Sequence, residues 1–304
     1  MSTEESKRVA SQFFATIGKR DISALTEMAD PECVGNFPGL RTNMNREQLI
    51  ATIAANQTAF PDLKADIQDQ FAEGEKVVTR TAVRVTHLGP YYDIPATGNN
   101  VSWWGLRINR VVGGKIMDRY GQVDMLNIVH QMGGMPAVGR LGSLPSELPG
   151  RTHVEDAIVS ASVSSEDTKT LVLRVIEEII NKGEKGSFGA LVAPTYVEHS
   201  NPLSASPEGF AQAVRLFRDP FPDVTFSIEE VIAEGAKVAT RGKWRATHQG
   251  DFMGIAPKGT PVEVTYTDIW WTQHGKVVER WIQSDLLGLL VQLGISPVKG
   301  MPSF

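Results

Sequence analysis

The chain contains one pattern twice, and that repeat constrains its fold more than any other feature. AFPDLKADIQDQFAEGEKVVTRTAVRVTHLGP starts at residue 59, and PFPDVTFSIEEVIAEGAKVATRGKWRATHQGD starts at residue 220. The copies run in register at an offset of 161 residues, Phe60 to Gly133 against Phe221 to Gly294. About 27 of these roughly 74 positions are identical, and they cluster as AEGxKVxTR, RxTHxG, GKxxxR, QxDxL and QxG. Upstream, DPECVGNFP corresponds with small gaps to APTYVEHSNP. A repeat of about 130 residues is far longer than a solenoid unit, so each copy is a domain in its own right. The 304-residue length fits two domains. The expected division is a first copy at 1–133, a Gly/Pro/Ser-rich linker at 134–165, a second copy at 166–296 and a tail at 297–304.

Periodicity sets the architecture of each copy. From Glu166 to Asn181, Leu171, Val172, Val175, Ile176, Ile179 and Ile180 form one helical stripe, with Asp167 as expected N-cap and Gly183 as stop. Val9, Phe13, Phe14 and Ile17 make the equivalent stripe in the first copy. A short helix is expected at Ser187–Val192, and a third from SASPEG to Phe217. The texture then changes. Thr225–Ile232, Lys237–His248, Val262–Trp271 and Lys276–Ile282 are rich in Val, Thr, Trp and Ile, and AEGAK and QHGK supply hairpin turns. A last helix runs from Asp285 to Leu293. Three N-terminal helices, a curved antiparallel sheet and a short C-terminal helix make an α+β domain whose inward strand residues line a pocket.

These residues carry a resemblance. RATHQGDFMGIAPKGTPVEV with GKVVERWIQSDLLGLLVQLG in the second copy, and RVTHLGPYYDIPATGNNVSW with GKIMDRYGQVDMLNIVHQMG in the first, resemble the SnoaL-like polyketide cyclase or ester cyclase family. That family belongs to the nuclear-transport-factor-two-like superfamily of cone-shaped α+β domains. The resemblance covers both copies and implies cofactor-free acid/base chemistry on an apolar carbonyl compound. The family's catalytic aspartate on the last strand falls here on Ile282, and on Gly121 in the first copy. Its histidine on the neighbouring strand falls on Asp268, and on Arg107. The chain departs from the family pair in both copies. His248, Trp281 and Asp285 keep the family pattern, as do His87, Tyr120 and Asp124.

Asp268 is the sharpest candidate. In VEVTYTDIWW, Val262, Val264, Tyr266, Asp268 and Trp270 share one strand face. With that face inside, desolvation raises the carboxyl toward a useful general base; with it outside, Asp268 is solvated or paired with Arg280. His248 is in phase with Trp244 and serves either as an acid/base group or as a fold-holding residue, with His87 in the same slot. Tyr266 is either a hydroxyl donor to a developing enolate or a core aromatic. Asp285 and Asp124 begin the last helix of their copies, where an aspartate caps free amides. His199, opposite Asn36, is expected in a loop, and the resemblance implies that a polar residue there faces the pocket mouth. Trp270, Trp244 and Trp281 read as core or pocket wall, and His274 as a hairpin residue.

The expected catalytic set is therefore Asp268, His248 and Tyr266. Substrate contacts are expected from His199, Trp244, Trp270, Trp281, Ile282, Asp285, His87, Arg107 and Asp124. The second copy is expected to hold the main site, with the first divergent. A cyclase, isomerase or lyase heads the functional readings. An epoxide or ester hydrolase, a non-catalytic small-molecule binder and an assembly subunit are the alternatives. The resemblance implies pairing of the two copies within the chain, as superfamily members pair through the outer face of the sheet, and admits a homodimer formed in the same way.

Composition trims this range. With 30 basic against 35 acidic residues and a net charge of −5, no basic stripe tracks a phosphate backbone, so nucleic acid is not an expected partner. The single Cys33 forms no internal disulfide. The polar start MSTEESKRVASQFF and the lack of a long apolar run suggest no signal peptide, no membrane partner and a cytoplasmic protein. No HExxH, CxxC, GxGxxG or GxSxG pattern occurs, so neither a metal nor another cofactor is expected.

Overall fold

The computed structural model describes residues 1–38, 41–134, 163–200 and 206–295. Most of the expected linker and the whole tail at 297–304 lie outside them. The chain divides into two compact units, Met1–Ala137 with Asp285–Phe304, and Val138–Ser284.

In the first unit α1 (Thr3–Lys19) and α2 (Ile22–Met28) lead into β1 (Ala29–Phe37), β2 (Arg41–Met44) and α3 (Arg46–Ala59). β3 (Ala65–Glu73), β4 (Lys76–Thr86), β5 (Asn100–Val112), β6 (Lys115–Val123) and α4 (Met125–Gln131) follow. A capping box between Ser2 and Glu5 starts α1, and Phe13 on its apolar stripe is buried against the sheet. The second unit opens with α5 (Ser165–Arg174), which continues as a π-helical segment over Val175–Asn181. Then come α6 (Phe188–Leu191), β7 (Val192–Glu198), α7 (Pro207–Arg218), β8 (Thr225–Glu234), β9 (Lys237–Thr247), β10 (Pro261–Gln273) and β11 (Lys276–Ser284). The terminal helix α8 (Leu286–Gln292), which groups with the first unit rather than with the second copy, is capped by Asp285. The cap of α5 is Ser164 rather than Asp167, which lies one turn inside and donates its backbone N–H to the Ser164 hydroxyl.

The sheets share the order of five strands, and the first carries β2 on its edge in addition. Strand order is β2-β1-β6-β5-β4-β3 in one and β7-β11-β10-β9-β8 in the other. The four long strands of each copy are antiparallel, as expected from their texture. The structure adds a further strand before them, β1 or β7, pairing parallel to the last long strand. That strand comes from DPECVGNFP and APTYVEHSNP, short polar segments without a clear alternating run. His199, expected in a loop, follows β7 directly and donates its backbone N–H to the Arg280 carbonyl.

The repeat's most distinctive motifs interlock. Asp62 of the first Phe-Pro-Asp accepts from the Thr86 amide at 2.9 Å and the Thr86 hydroxyl at 2.9 Å. Asp223 accepts from the Thr247 amide and hydroxyl, both at 2.7 Å. Phe60 lies 5.6 Å from the His87 ring, and Phe221 lies 5.7 Å from the His248 ring. The glycine of T-H-x-G closes the join. A Cβ on Gly89 would sit 2.2 Å from the Thr58 carbonyl oxygen, and one on Gly250 would sit 2.5 Å from that of Asp219. F-P-D and T-H-x-G are thus two halves of one latch between the α3–β3 or α7–β8 turn and the end of the following hairpin. Among the described residues no helix is long and apolar enough to cross a membrane.

Candidate functional site

The register fixes which side chains meet. In the second unit Asp268 lies opposite Thr240 on β9 and Ile282 on β11, and Trp270 lies opposite Val238 and Arg280. Alternation along β10 places Tyr266, Asp268 and Trp270 on one face, with Arg280 and Ile282 beside them. This face looks into the apolar core, where Trp270 packs with Tyr196, Phe210, Val172 and Ile176. Glu198, the last residue of β7, pairs with Arg280 across the parallel edge.

The result is a buried ionic cluster. Asp268 is 0 %, Glu198 4 % and Arg280 5 % exposed. Arg280 donates from Nη2 to Asp268 Oδ2 at 2.9 Å and from Nε at 3.3 Å. Its Nη1 stands 3.7 Å from Glu198 Oε2. The Thr240 hydroxyl donates to Asp268 Oδ1. The Tyr196 hydroxyl donates to Glu198 Oε2 at 3.3 Å. Aromatic faces complete the seat of the guanidinium, with Trp270 at 4.2 Å and Phe210 at 5.6 Å.

Charge balance decides what such a cluster can do. Burial raises the Asp268 carboxyl above its ordinary range, and the Arg280 charge only partly offsets this. Burial raises Glu198 as well, again against Arg280. For Arg280, burial works against the charge, but Asp268 and Glu198 outweigh it and hold the guanidinium above its ordinary value. Two carboxylates around one cation leave one negative charge in excess, and a single proton neutralises the cluster. The Tyr266 hydroxyl and the Glu198 Oε1 atom are buried without a hydrogen-bond partner. Burial, then the Asp268 charge, holds the Tyr266 phenol protonated, as a donor.

The other candidates fall into separate places. His248 is fully buried at the far end of the face, eight residues along from Thr240, or roughly 25 Å at about 3.3 Å per residue. Its ring packs 5.7 Å from that of Phe221, in the latch rather than beside Asp268. Trp244 lies on the same face, midway between Thr240 and His248, packed against Phe217 at 5.1 Å and Phe221 at 5.5 Å. His199 and Trp281 occupy the opposite face of the sheet. Their rings stack at 4.3 Å, and His199 Nε2 meets Glu279 Oε2 at 2.8 Å. Asp285 caps α8 by accepting from the Gly288 amide, and Asp124 caps α4 by accepting from Asn127. His87 is buried in the first latch, its Nδ1 3.0 Å from the Thr97 hydroxyl. His274 adopts a left-handed turn conformation at φ 51°, where the first copy has Gly113 at φ 56°. Glu198 and Tyr196 were not among the sequence candidates. The alternation of Tyr196 and Glu198 in YVEH is the signal that a strand placed there would have exposed.

In the first unit the same places hold Arg107 on β5, opposite Gly121, and Arg119 on β6, opposite Asn109. Gly35 stands where the second unit has Glu198. Among the described residues no cluster of three His, Cys, Asp or Glu side chains could hold a metal ion.

A model of the SnoaL-like polyketide cyclases matches residues 7–132 and again 170–293. Solved structures resemble one copy at a time. AclR from Streptomyces galilaeus, provisionally described as a hydroxylase, is 24% identical, with 44% of this chain and 100% of that one covered at a TM-score of 0.41. IdmH from Streptomyces antibioticus, provisionally described as a polyketide cyclase, is 29% identical over 42% of this chain and 99% of its own at 0.39. TsrD from Streptomyces laurentii is 23% identical over 44% and 98% at 0.40. No curated protein matches the chain.

Proposed function

Because the chain belongs to the SnoaL-like polyketide cyclase family, with one family domain in each half, we propose that its second domain is a cofactor-independent acid/base catalyst. The substrate class is an apolar carbonyl compound such as a polyketide-type ester, and the reaction a cyclisation, isomerisation or elimination. One observation carries this reading: two buried carboxylates, Asp268 and Glu198, share the single cation of Arg280 beneath aromatic walls.

Asp268 is the more tightly held of the two, with partners on both oxygens. Glu198 keeps one oxygen without a partner. The pair, rather than Asp268 alone, takes the proton from the carbon next to a substrate carbonyl, and Arg280 holds it in place. Tyr266 donates its hydroxyl to the enolate oxygen that develops. The walls of Trp270, Tyr196 and Phe210 keep water away and favour an apolar substrate. His248 has no part in the chemistry.

Turnover by mass spectrometry on polyketide methyl esters, cyclic enones and epoxides tests this. Glu198→Gln and Asp268→Asn are each expected to lower kcat by about 10²–10⁴-fold. Full activity in both variants rejects the pair as the base. The closed state of Asp268, with both oxygens occupied, favours a second reading, a non-catalytic binder. Saturable binding of panel members with no conversion by the wild type decides for it.

A further inference from the structure

The first unit places two positive charges, the buried Arg119 and the partly exposed Arg107, where the second buries its acid–base cluster. Arg119 is 3 % exposed and Asn109 is 0 % exposed, and they face each other across β5 and β6. Arg107 lies on the same face, two residues before Asn109. Both guanidiniums gather at the Phe37 ring, Arg107 at 5.5 Å and Arg119 at 5.9 Å, while Phe13 and Phe14 flank Arg119 at 4.9 and 4.8 Å. Arg107 is partly exposed and so keeps a path to solvent.

Glycines shape this seat. A Cβ on Gly105 would stand 2.7 Å from Arg107 Nη1, and one on Gly121 would stand 2.5 Å from the Phe37 ring and 2.9 Å from Arg107 Cδ. At Gly35, where the second unit carries Glu198, a Cβ would come within 3.0 Å of Leu49. The chain therefore makes room for the arginine and supplies no carboxylate. Neither arginine has an ion-pair partner among the described residues. Arg107 Nη1 donates to the Leu106 and Gln122 carbonyls, and Arg119 Nη1 donates to Asn109 Oδ1. Arg107 Nε, Arg119 Nε and Asn109 Nδ2 are left buried without an acceptor. Buried donors are nearly always satisfied, and a buried cation needs a counter-charge. Burial and the neighbouring Arg107 bring the Arg119 guanidinium down to about 9, and burial brings Arg107 down to about 10, so both stay charged at neutral pH.

We propose that the first domain binds a small organic carboxylate, its carboxylate bridging Arg107 and Arg119 and its apolar part lying against the partly exposed Phe37. The guanidinium fork fits a planar carboxylate with two parallel hydrogen bonds. This site is independent of the chemistry assigned to the second domain.

Calorimetric titration of the full chain with benzoate, benzamide and phenyl phosphate tests it. Benzoate is expected to bind one site per chain, about tenfold or more tighter than benzamide, the scale of a hydrogen bond to a charged group. Arg107→Met and, separately, Arg119→Met are each expected to weaken benzoate about tenfold or more. Circular dichroism confirms the fold of each variant, and either one suffices. Equal binding of benzoate and benzamide, or binding of neither, overturns the proposal and leaves water as the occupant of the donors. Benzoate affinity unchanged in the variants overturns the location. Phenyl phosphate binding tighter than benzoate overturns the choice of carboxylate.

Discussion

Arg119 and Arg280 occupy the same place in the two copies, yet their surroundings carry opposite charge. Arg280 stands between Asp268 and Glu198. Arg119 stands beside Arg107, with Gly35 where the glutamate would be. The order of five strands and the latch are the same, and so is the buried arginine; what differs is the charge at positions 107 and 268 and the side chain at 35 and 198. A shared scaffold thus fixes where a buried charge sits without fixing its partner. The guanidinium is stabilised from within the protein in one domain and left to an external acceptor in the other.

The largest expected effect tests that contrast directly. Arg280→Met strands two buried carboxylates, and breaking such a pair costs about 3–5 kcal/mol. Arg119→Met removes a buried cation that has no carboxylate partner, so it is expected to be neutral or stabilising. Urea unfolding at neutral pH, followed by tryptophan fluorescence, measures both. Similar losses from the two substitutions break the comparison, since they make Arg119 as well paired as Arg280.

The latch is where the copies agree, so it supplies the reference. Asp62→Ala and Asp223→Ala each remove hydrogen bonds to a threonine amide and hydroxyl at an exposed site. Each is expected to cost about 1–2 kcal/mol, by similar amounts, in the same unfolding measurement. The Thr247 amide and hydroxyl hold the Asp223 carboxyl below its ordinary range. Its contribution is therefore present at neutral pH and is lost as pH falls below about 4. A latch that matters in only one copy shows that the two scaffolds have diverged as their charges have.

The latch also shows what the sequence could tell. F-P-D and T-H-x-G stood out because they recur at one offset, and repetition marks what both domains need to fold. His248 was read as either a fold-holding or an acid/base residue for that reason, and the structure puts it in the latch. The alternation in VEVTYTDIWW identified the face that carries Asp268, but not whether that face was buried or Asp268 paired. It is both. Glu198 was missed because β7 is a short parallel edge strand whose pairing is set by β11, 82 residues later, and the two-residue alternation in YVEH does not announce that pairing. The opposed charges of the two slots were visible as Asp268 against Arg107. Their meaning depends on Gly35, and a glycine's neighbours cannot be read from sequence.

Within the second slot the two carboxylates are expected to separate. Glu198 is buried with one oxygen unpartnered, and its pKa is raised. The folded state therefore keeps a proton that the unfolded chain releases near pH 4.3, and stability falls as pH rises from there through the folded value. Because burial raises Asp268 too, Glu198→Gln is expected to make that slope shallower rather than abolish it, and to gain on the order of 1 kcal/mol at pH 8, while lowering turnover. Asp268→Asn is expected to lose stability, because it breaks the close pair with Arg280. Denaturant midpoints across pH 4 to 8 separate the two, and matching behaviour makes the carboxylates equivalent.

The smallest effect concerns a residue both copies share. Asp124 caps α4 through the Asn127 amide, yet burial pushes its carboxyl up to about 6, against the lowering effect of that bond. The same sign applies as for Glu198: stability declines as pH rises from about 4 to about 6 and then levels off. Asparagine caps a helix as well as aspartate does and carries no charge to desolvate. Asp124→Asn is expected to leave stability at pH 5 almost unchanged and to raise it at pH 8, by less than about 1 kcal/mol because the residue keeps some contact with water. A loss at pH 8 would mean that the charge faces a cation or the helix dipole strongly enough to outweigh its burial. The first domain's excess of buried positive charge would then reach the end of β6, beyond Arg107 and Arg119.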